Sequence, residues 1–161
     1  MLFRECIIKI CAVTSPLSGE VEVDESSLVP VEFEVRDRGK TIIFGLLNRE
    51  GKVYTEIVPD VIKATLKAII RGKVDIDSII HSDGCQGYHG LVDVWNDKHF
   101  RVHHGNNQFV RGNSQINGIE SFWSYTKIRL VKFHGIDTRT FNLHLKECEF
   151  RFNNRGEDLY K

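Results

Sequence analysis

The chain has 161 residues, 41% apolar and 27% charged, and its 22 basic and 22 acidic side chains cancel to a net charge of zero. Such a length and composition fit one folded domain with a core of useful size and exclude a disordered chain. No run of about eighteen apolar residues occurs, and the opening MLFRECIIKICAV carries an acid inside its short apolar patch, so neither a membrane span nor a signal peptide is expected and the protein reads as intracellular.

Four cysteines, Cys6, Cys11, Cys85 and Cys148, lie far apart without a CxxC pair, which argues against a zinc ribbon or a disulfide framework and for buried thiols. The charge is unevenly spread. Residues 1 to 100 hold 12 Lys/Arg against 16 Asp/Glu, and residues 101 to 161 hold 10 against 6, an acidic part of −4 and a basic part of +4. That asymmetry suits an acidic metal site beside a basic strand-binding surface, although solvated faces produce it too.

In chain order, GEVEVDES alternates Val21 and Val23 with Glu20, Glu22 and Asp24, a period of two that predicts a strand with one buried face and Asp24 on its polar face. KTIIFGLLNREGKVYTEIV predicts two strands joined by a turn at Asn48 to Gly51. PDVIKATLKAIIRG predicts a helix opened by proline, with Val61, Ile62, Leu66, Ile69 and Ile70 as its apolar positions and Gly72 as terminator. DSIIHSDG predicts a short strand ending at Asp83 and Gly84; a less regular segment follows, then a strand at FRVHHG.

Two helices close the chain. The first begins near Asn113 or Ser114 and stops at Gly135, with Ile119, Trp123, Thr126, Leu130 and Phe133 as a core-facing stripe. Phe122 and Trp123 read as core rather than as base-stacking surfaces. The second starts at Asp137 or Thr138, packs Phe141, Leu145, Cys148 and Phe152, and ends before Gly156. The order βββ, α, β, α, β, α, α describes a mixed sheet with helices on its faces, an α/β domain.

Glu120 and Lys127 are seven residues apart, close to two helical turns, and so share the shoulder of the stripe. Such a pair is ordinarily a solvated helix edge. Two aspartates at strand ends, Asp24 and Asp83, and Glu120 on a helix laid across the sheet can nevertheless converge. Three converging carboxylates repel unless a cation neutralises them. Hard oxygen ligands of this kind suit Mg²⁺ or Mn²⁺, and two such ions about 3.5 to 4 Å apart stabilise the attacking and leaving oxygens of an in-line phosphoryl transfer.

VEVDES, IIHSDGCQGYHGL, NGIESFWSYTKIRL and EFRFNNR together resemble the DDE transposases of bacterial insertion sequences, specifically the ISXO-type group related to Merlin elements, over residues 19 to 156. The resemblance implies an RNase H-like fold whose central sheet has three antiparallel strands followed by parallel ones. It implies metal-dependent DNA strand cleavage followed by strand transfer, with no covalent protein intermediate. Asp24, Asp83 and Glu120 would hold two divalent ions, Mg²⁺ or Mn²⁺, in the arrangement above, and Lys127 would hold DNA near the scissile phosphate. Their spacings of 59, 37 and 7 residues suit the family's layout. Asn117 matches the N..IE signature as a supporting residue, while Arg129, Lys132, Arg151 and Arg155 could track phosphates. The partners implied are the DNA of the mobile element's ends and of the target, bound by a homodimer in a synaptic complex, at the nucleoid if the source is bacterial.

The chain departs from the family at three places. Gln115 stands where relatives usually carry histidine, SLVPVEFEVRDRGK is more acidic than the usual basic insert, and only 23 residues precede Asp24. Residues 1–18 therefore read as an atypical lead-in without the DNA-binding region of relatives, 19–156 as the catalytic domain and 157–161 as a tail. The alternative is a decayed transposase remnant that only associates with DNA or dimerises. His81, His103 and His104 lack metal-ligand spacing and read as structural.

Overall fold

The computed structural model describes residues 2–12, 16–28, 41–82, 99–101, 117–133 and 136–157. Helix α1 (Leu2–Ala12) precedes strands β1 (Glu20–Leu28), β2 (Thr41–Asn48) and β3 (Val53–Val58). Helix α2 (Lys63–Lys73), strands β4 (Ile79–Ser82) and β5 (His99–Arg101), and helices α3 (Asn117–Val131) and α4 (Thr138–Asn153) complete the order. The five strands form one sheet in the order β3-β2-β1-β4-β5, the first three antiparallel and β4 and β5 parallel to β1.

Alternation along the strands divides the core in two. Val21, Val23, Phe44, Leu46 and Ile80 pack against Leu66 and Ile70 of α2 on one face. Ile43, Leu47 and Val53 pack on the other face against Ile119, Phe122 and Trp123 of α3 and Phe141, Leu145 and Cys148 of α4. The stripe read from the sequence is the buried seam of α3, with Ile119 and Thr126 at 0% exposure and Phe133 partly buried. The hairpin turn is where it was expected: Gly51, at φ 81°, donates its N–H to the Asn48 carbonyl at 2.8 Å. Helix α4 likewise starts at an Asp137 cap, whose side chain accepts from the Arg139 N–H at 2.8 Å.

Four expectations change. Strand β1 is covered on both faces, because α3 lies over the side that carries Glu22, and Glu22 is only 2% exposed. Helix α2 opens at Lys63, not at Pro59, leaving Ile62 exposed, and it runs through Gly72 to end where Val74 becomes extended and bridges to Leu17. Helix α3 ends at Val131, before the expected stop at Gly135. The lead-in contains α1, which docks on α4 through buried Ile7 and Cys11 and through an Arg4 to Glu147 ion pair at 2.8 Å. The segment expected to be irregular between β4 and β5 lies outside the described residues.

Helix α4 also serves the outer rim of β3. The Asn153 side-chain amide accepts from the Val53 N–H at 2.7 Å and donates to the Val53 carbonyl at 2.8 Å. Glu149 accepts from the Thr55 N–H at 2.8 Å, and the Lys146 ammonium donates to the Thr55 carbonyl at 2.6 Å.

Candidate active site

On β1, Glu22 and Asp24 are two residues apart and therefore face the same side, toward α3. The Trp123 indole N–H donates to Asp24 Oδ2 at 3.0 Å. Gly45 pairs with Asp24 on the neighbouring strand, and its lack of a side chain makes the room: a Cβ there would come within 2.6 Å of the Trp123 ring. The indole thus fills the space above Gly45 while its polar edge reaches the carboxylate.

Glu22 anchors the start of the same helix. Its Oε2 accepts the Ile119 N–H at 2.8 Å, one of the amides that a helix N-terminus leaves without an internal partner. Gly118 permits that approach, since a Cβ there would lie 3.0 Å from Glu22 Oε2 and 3.0 Å from the Leu47 side chain. Burial pushes the Glu22 carboxyl above its ordinary range, the Ile119 hydrogen bond and Arg49 oppose the rise, and the negative charge of Glu120 adds to it. Glu120 therefore lies close enough to feel the carboxylate of β1, on an exposed part of the first turn of α3. Lys127 is exposed two turns further on.

The parallel pairing of β1 and β4 sets Val23 opposite Ser82, the residues that immediately precede Asp24 and Asp83 in the chain. Asp83, His103 and His104 are outside the described residues, as is the side chain of Asn117. Among the described residues, no three His, Cys, Asp or Glu side chains gather at metal-binding distance. His81 is buried within 3.2 Å of Glu20, and burial lowers its pKa despite that carboxylate.

The basic residues fall into two groups. Lys127 and Lys132 are exposed. Arg129 and Arg151 turn inward to the buried Glu147, at 2.8 and 2.9 Å, where Arg4 joins them. Burial of Glu147 opposes its ionisation, but the three guanidinium hydrogen bonds prevail and hold the carboxyl at about 2. Arg155 donates to the carbonyls of Gly51 and Phe152 and stacks over the Phe152 ring at 4.4 Å.

Sequence reasoning missed Glu22 and the polar role of Trp123. The alternation in VEVDES already put Glu22 on the side of Asp24, and that was the available signal; nothing local distinguishes an indole that packs from one that also donates.

The ISXO2-like transposase domain model matches residues 16–153. The chain belongs to this family. It is also 48% identical over 103 residues to an uncharacterised transposase-like protein of Haemophilus influenzae, a match covering 64% of this chain and 82% of the relative. Among solved structures, the catalytic core domain of BIV integrase superposes with a TM-score of 0.53 at 14% identity, covering 88% of this chain and 86% of that one. At that identity the likeness establishes the fold, which is RNase H-like. In this ISXO2-like domain the five-stranded mixed sheet and its flanking helices are the architecture expected from the sequence. No helix among the described residues is long and apolar enough to cross a membrane.

Proposed function

We propose that the chain is a transposase catalytic domain that cleaves DNA at the ends of a mobile element and transfers the freed 3′-hydroxyl to target DNA. Asp24, Asp83 and Glu120 would hold two divalent ions, Mg²⁺ or Mn²⁺, and Lys127 would hold a DNA phosphate as a compact cation. The observation that carries this reading is the contact between Trp123 and Asp24, one helical turn beyond Glu120. It brings the helix with the third carboxylate onto the strand with the first, while β4 runs beside that strand toward Asp83.

The donor set fits hard divalent ions because it consists of carboxylate oxygens, and the charge of Glu120 already reaches Glu22 on the strand that carries Asp24. Bound ions would supply charge neutralisation at the transferring phosphoryl group. The protein's own part is positioning: the indole of Trp123 orients Asp24, Glu22 fixes the start of α3, and Lys127 on that helix and Lys132 just past its end present exposed cations. Two active sites acting on two DNA ends would require a homodimer in a synaptic complex.

The test is strand cleavage of oligonucleotides bearing the flanking element's ends, with Mg²⁺ or Mn²⁺, comparing the natural chain with Glu120→Gln. Cleavage lost in the variant while DNA binding persists supports the assignment. Cleavage that survives the substitution removes Glu120 from the site, and DNA binding without cleavage by the natural chain leaves a folded DNA-associating module.

A further inference from the structure

A pocket of about 550 Å³ lies on the opposite shoulder of α3 from Glu120 and Lys127, neither of which lines it. At 100° per residue, Gly118, Ser121 and Tyr125 project to the side of the helix that meets α4 and the β2–β3 turn. We infer that this pocket binds a phosphate group, presented either by a nucleic-acid backbone or as a free anion. The inference goes beyond the proposed function, since it requires no metal and no strand cleavage.

Three guanidiniums converge on the pocket from three elements: Arg49 from the hairpin turn, Arg151 from the last turn of α4, and Arg155 just beyond it. Planar guanidinium forks match the oxygens of a phosphate in pairs, which suits them to this ligand better than single ammonium groups. The carboxylates nearby offset only part of this charge: Arg49 donates to Glu20 Oε2 at 3.0 Å. Glu147 is shared among Arg151, Arg129 and Arg4, three cations on one anion. Arg155 is held by two carbonyl oxygens and the face of Phe152, which fix its geometry and leave its charge intact.

Glu22 is the acid in the lining, and its charge is shared between the start of α3 and Arg49. Its carboxylate accepts from Ile119 N–H at 2.8 Å and lies 3.8 Å from Arg49, at the positive end of the α3 dipole. The Ser121 and Tyr125 hydroxyls complete the lining with donors for remaining phosphate oxygens. An aromatic wall of Tyr125 and Phe152, ring centroids 5.9 Å apart, adds a surface that a sugar or base could rest against.

The test has two arms, both in chelator so that no cleavage intervenes. In the first, binding of a labelled DNA duplex is followed by anisotropy across a salt series for the natural chain, for Arg49→Gln with Arg155→Gln, and for Lys9→Glu with Lys63→Glu on remote surfaces. In the second, inorganic phosphate is titrated into the same proteins, reading the thermal midpoint and, in the natural chain, the amide resonances of Arg49, Ser121 and Arg155.

A backbone phosphate in the pocket makes the salt slope of the arginine variant shallower by about two, with the lysine variant closer to the natural chain. Phosphate that shifts the three amides and raises the midpoint only when the arginines are present, with DNA binding unchanged, assigns the pocket to a free anion. Unmoved amides at those positions together with an unchanged slope overturn the inference, even if the arginine variant proves unstable, because the resonance arm uses the natural chain. Loss of DNA cleavage in Glu120→Gln bears on the catalytic reading alone and leaves this one standing.

Discussion

Trp123 and Asp24 are 99 residues apart in the chain and joined by one hydrogen bond of 3.0 Å, from the indole Nε1 to the carboxylate Oδ2. The bond ties the central strand to α3 at the level of Glu120. A hydrogen bond to a charged group contributes roughly 1.5–3 kcal/mol, enough to hold a side chain in one rotamer.

Trp123→Phe keeps most of the packing and removes the donor. Chemical denaturation should show a loss of about 1–3 kcal/mol, and DNA cleavage should fall by more than DNA binding. Trp123→Ala also opens a cavity over Gly45 and should cost about 3–5 kcal/mol. Equal stability and equal cleavage in Trp123→Phe would show that the bond orients nothing.

Replacing a helical glycine with alanine ordinarily stabilises by about 1 kcal/mol. At Gly118 the opposite is expected. The new methyl would meet Glu22 Oε2 and Leu47 Cδ2, each at 3.0 Å, and displace a charged acceptor from the Ile119 N–H. The loss of that bond, roughly 1.5–3 kcal/mol, exceeds the gain in propensity, so Gly118→Ala should lower the urea midpoint. A raised midpoint would mean that Glu22 moves aside freely.

Glu22 gives a specific pH signature. Its folded-state pKa is raised above the ordinary 4.5, so the folded protein holds this proton more tightly than the unfolded chain does. The contribution is most favourable below 4.5 and declines as pH rises through the folded value. Glu22→Gln retains a carbonyl acceptor for Ile119 N–H and removes the charge. The variant should match the natural chain at low pH and gain on it as pH rises to neutrality, a difference that melts across a pH series would register. A constant difference at all pH values would contradict it.

Glu147 behaves in the reverse sense. Its carboxyl is held at about 2 against an ordinary 4.5, so its stabilisation is present above 4.5 and lost as pH falls from 4.5 through about 2. Glu147→Gln leaves Arg4, Arg129 and Arg151 without their shared counter-charge and should cost on the order of 3 kcal/mol at neutral pH, loosening α1 from α4. Hydrogen exchange of α1 amides should accelerate in the variant; unchanged protection would show that apolar packing alone retains the helix.

What the sequence disclosed follows the range of the interactions involved. The Asn48–Gly51 turn, the α3 stripe and the Asp137 cap depend on neighbours within a few residues, and each is legible as a local pattern. The burial of Glu22 depends on a helix nearly one hundred residues away, so alternation reveals its side of the strand but not the cover above it. Helix α1 is hidden for the same reason: Arg4 looks like an interruption of an apolar patch until Glu147, 143 residues later, answers its charge. Gly72 misleads because the end of α2 is decided by the pairing of Val74 with Leu17, not by glycine. At the candidate site, Asp24 and Glu120 are proposed from their motifs, whereas the Trp123 and Glu22 contacts emerge only from packing.

The rim of β3 has a consequence for assembly. Outward-pointing main-chain groups on a border strand invite a further strand from another molecule. Here three side chains of α4 occupy those positions at Val53 and Thr55, mimicking the next rung of the ladder. The Val53–Thr55 half of this border is thus occupied, and a strand added there would first have to displace α4 side chains.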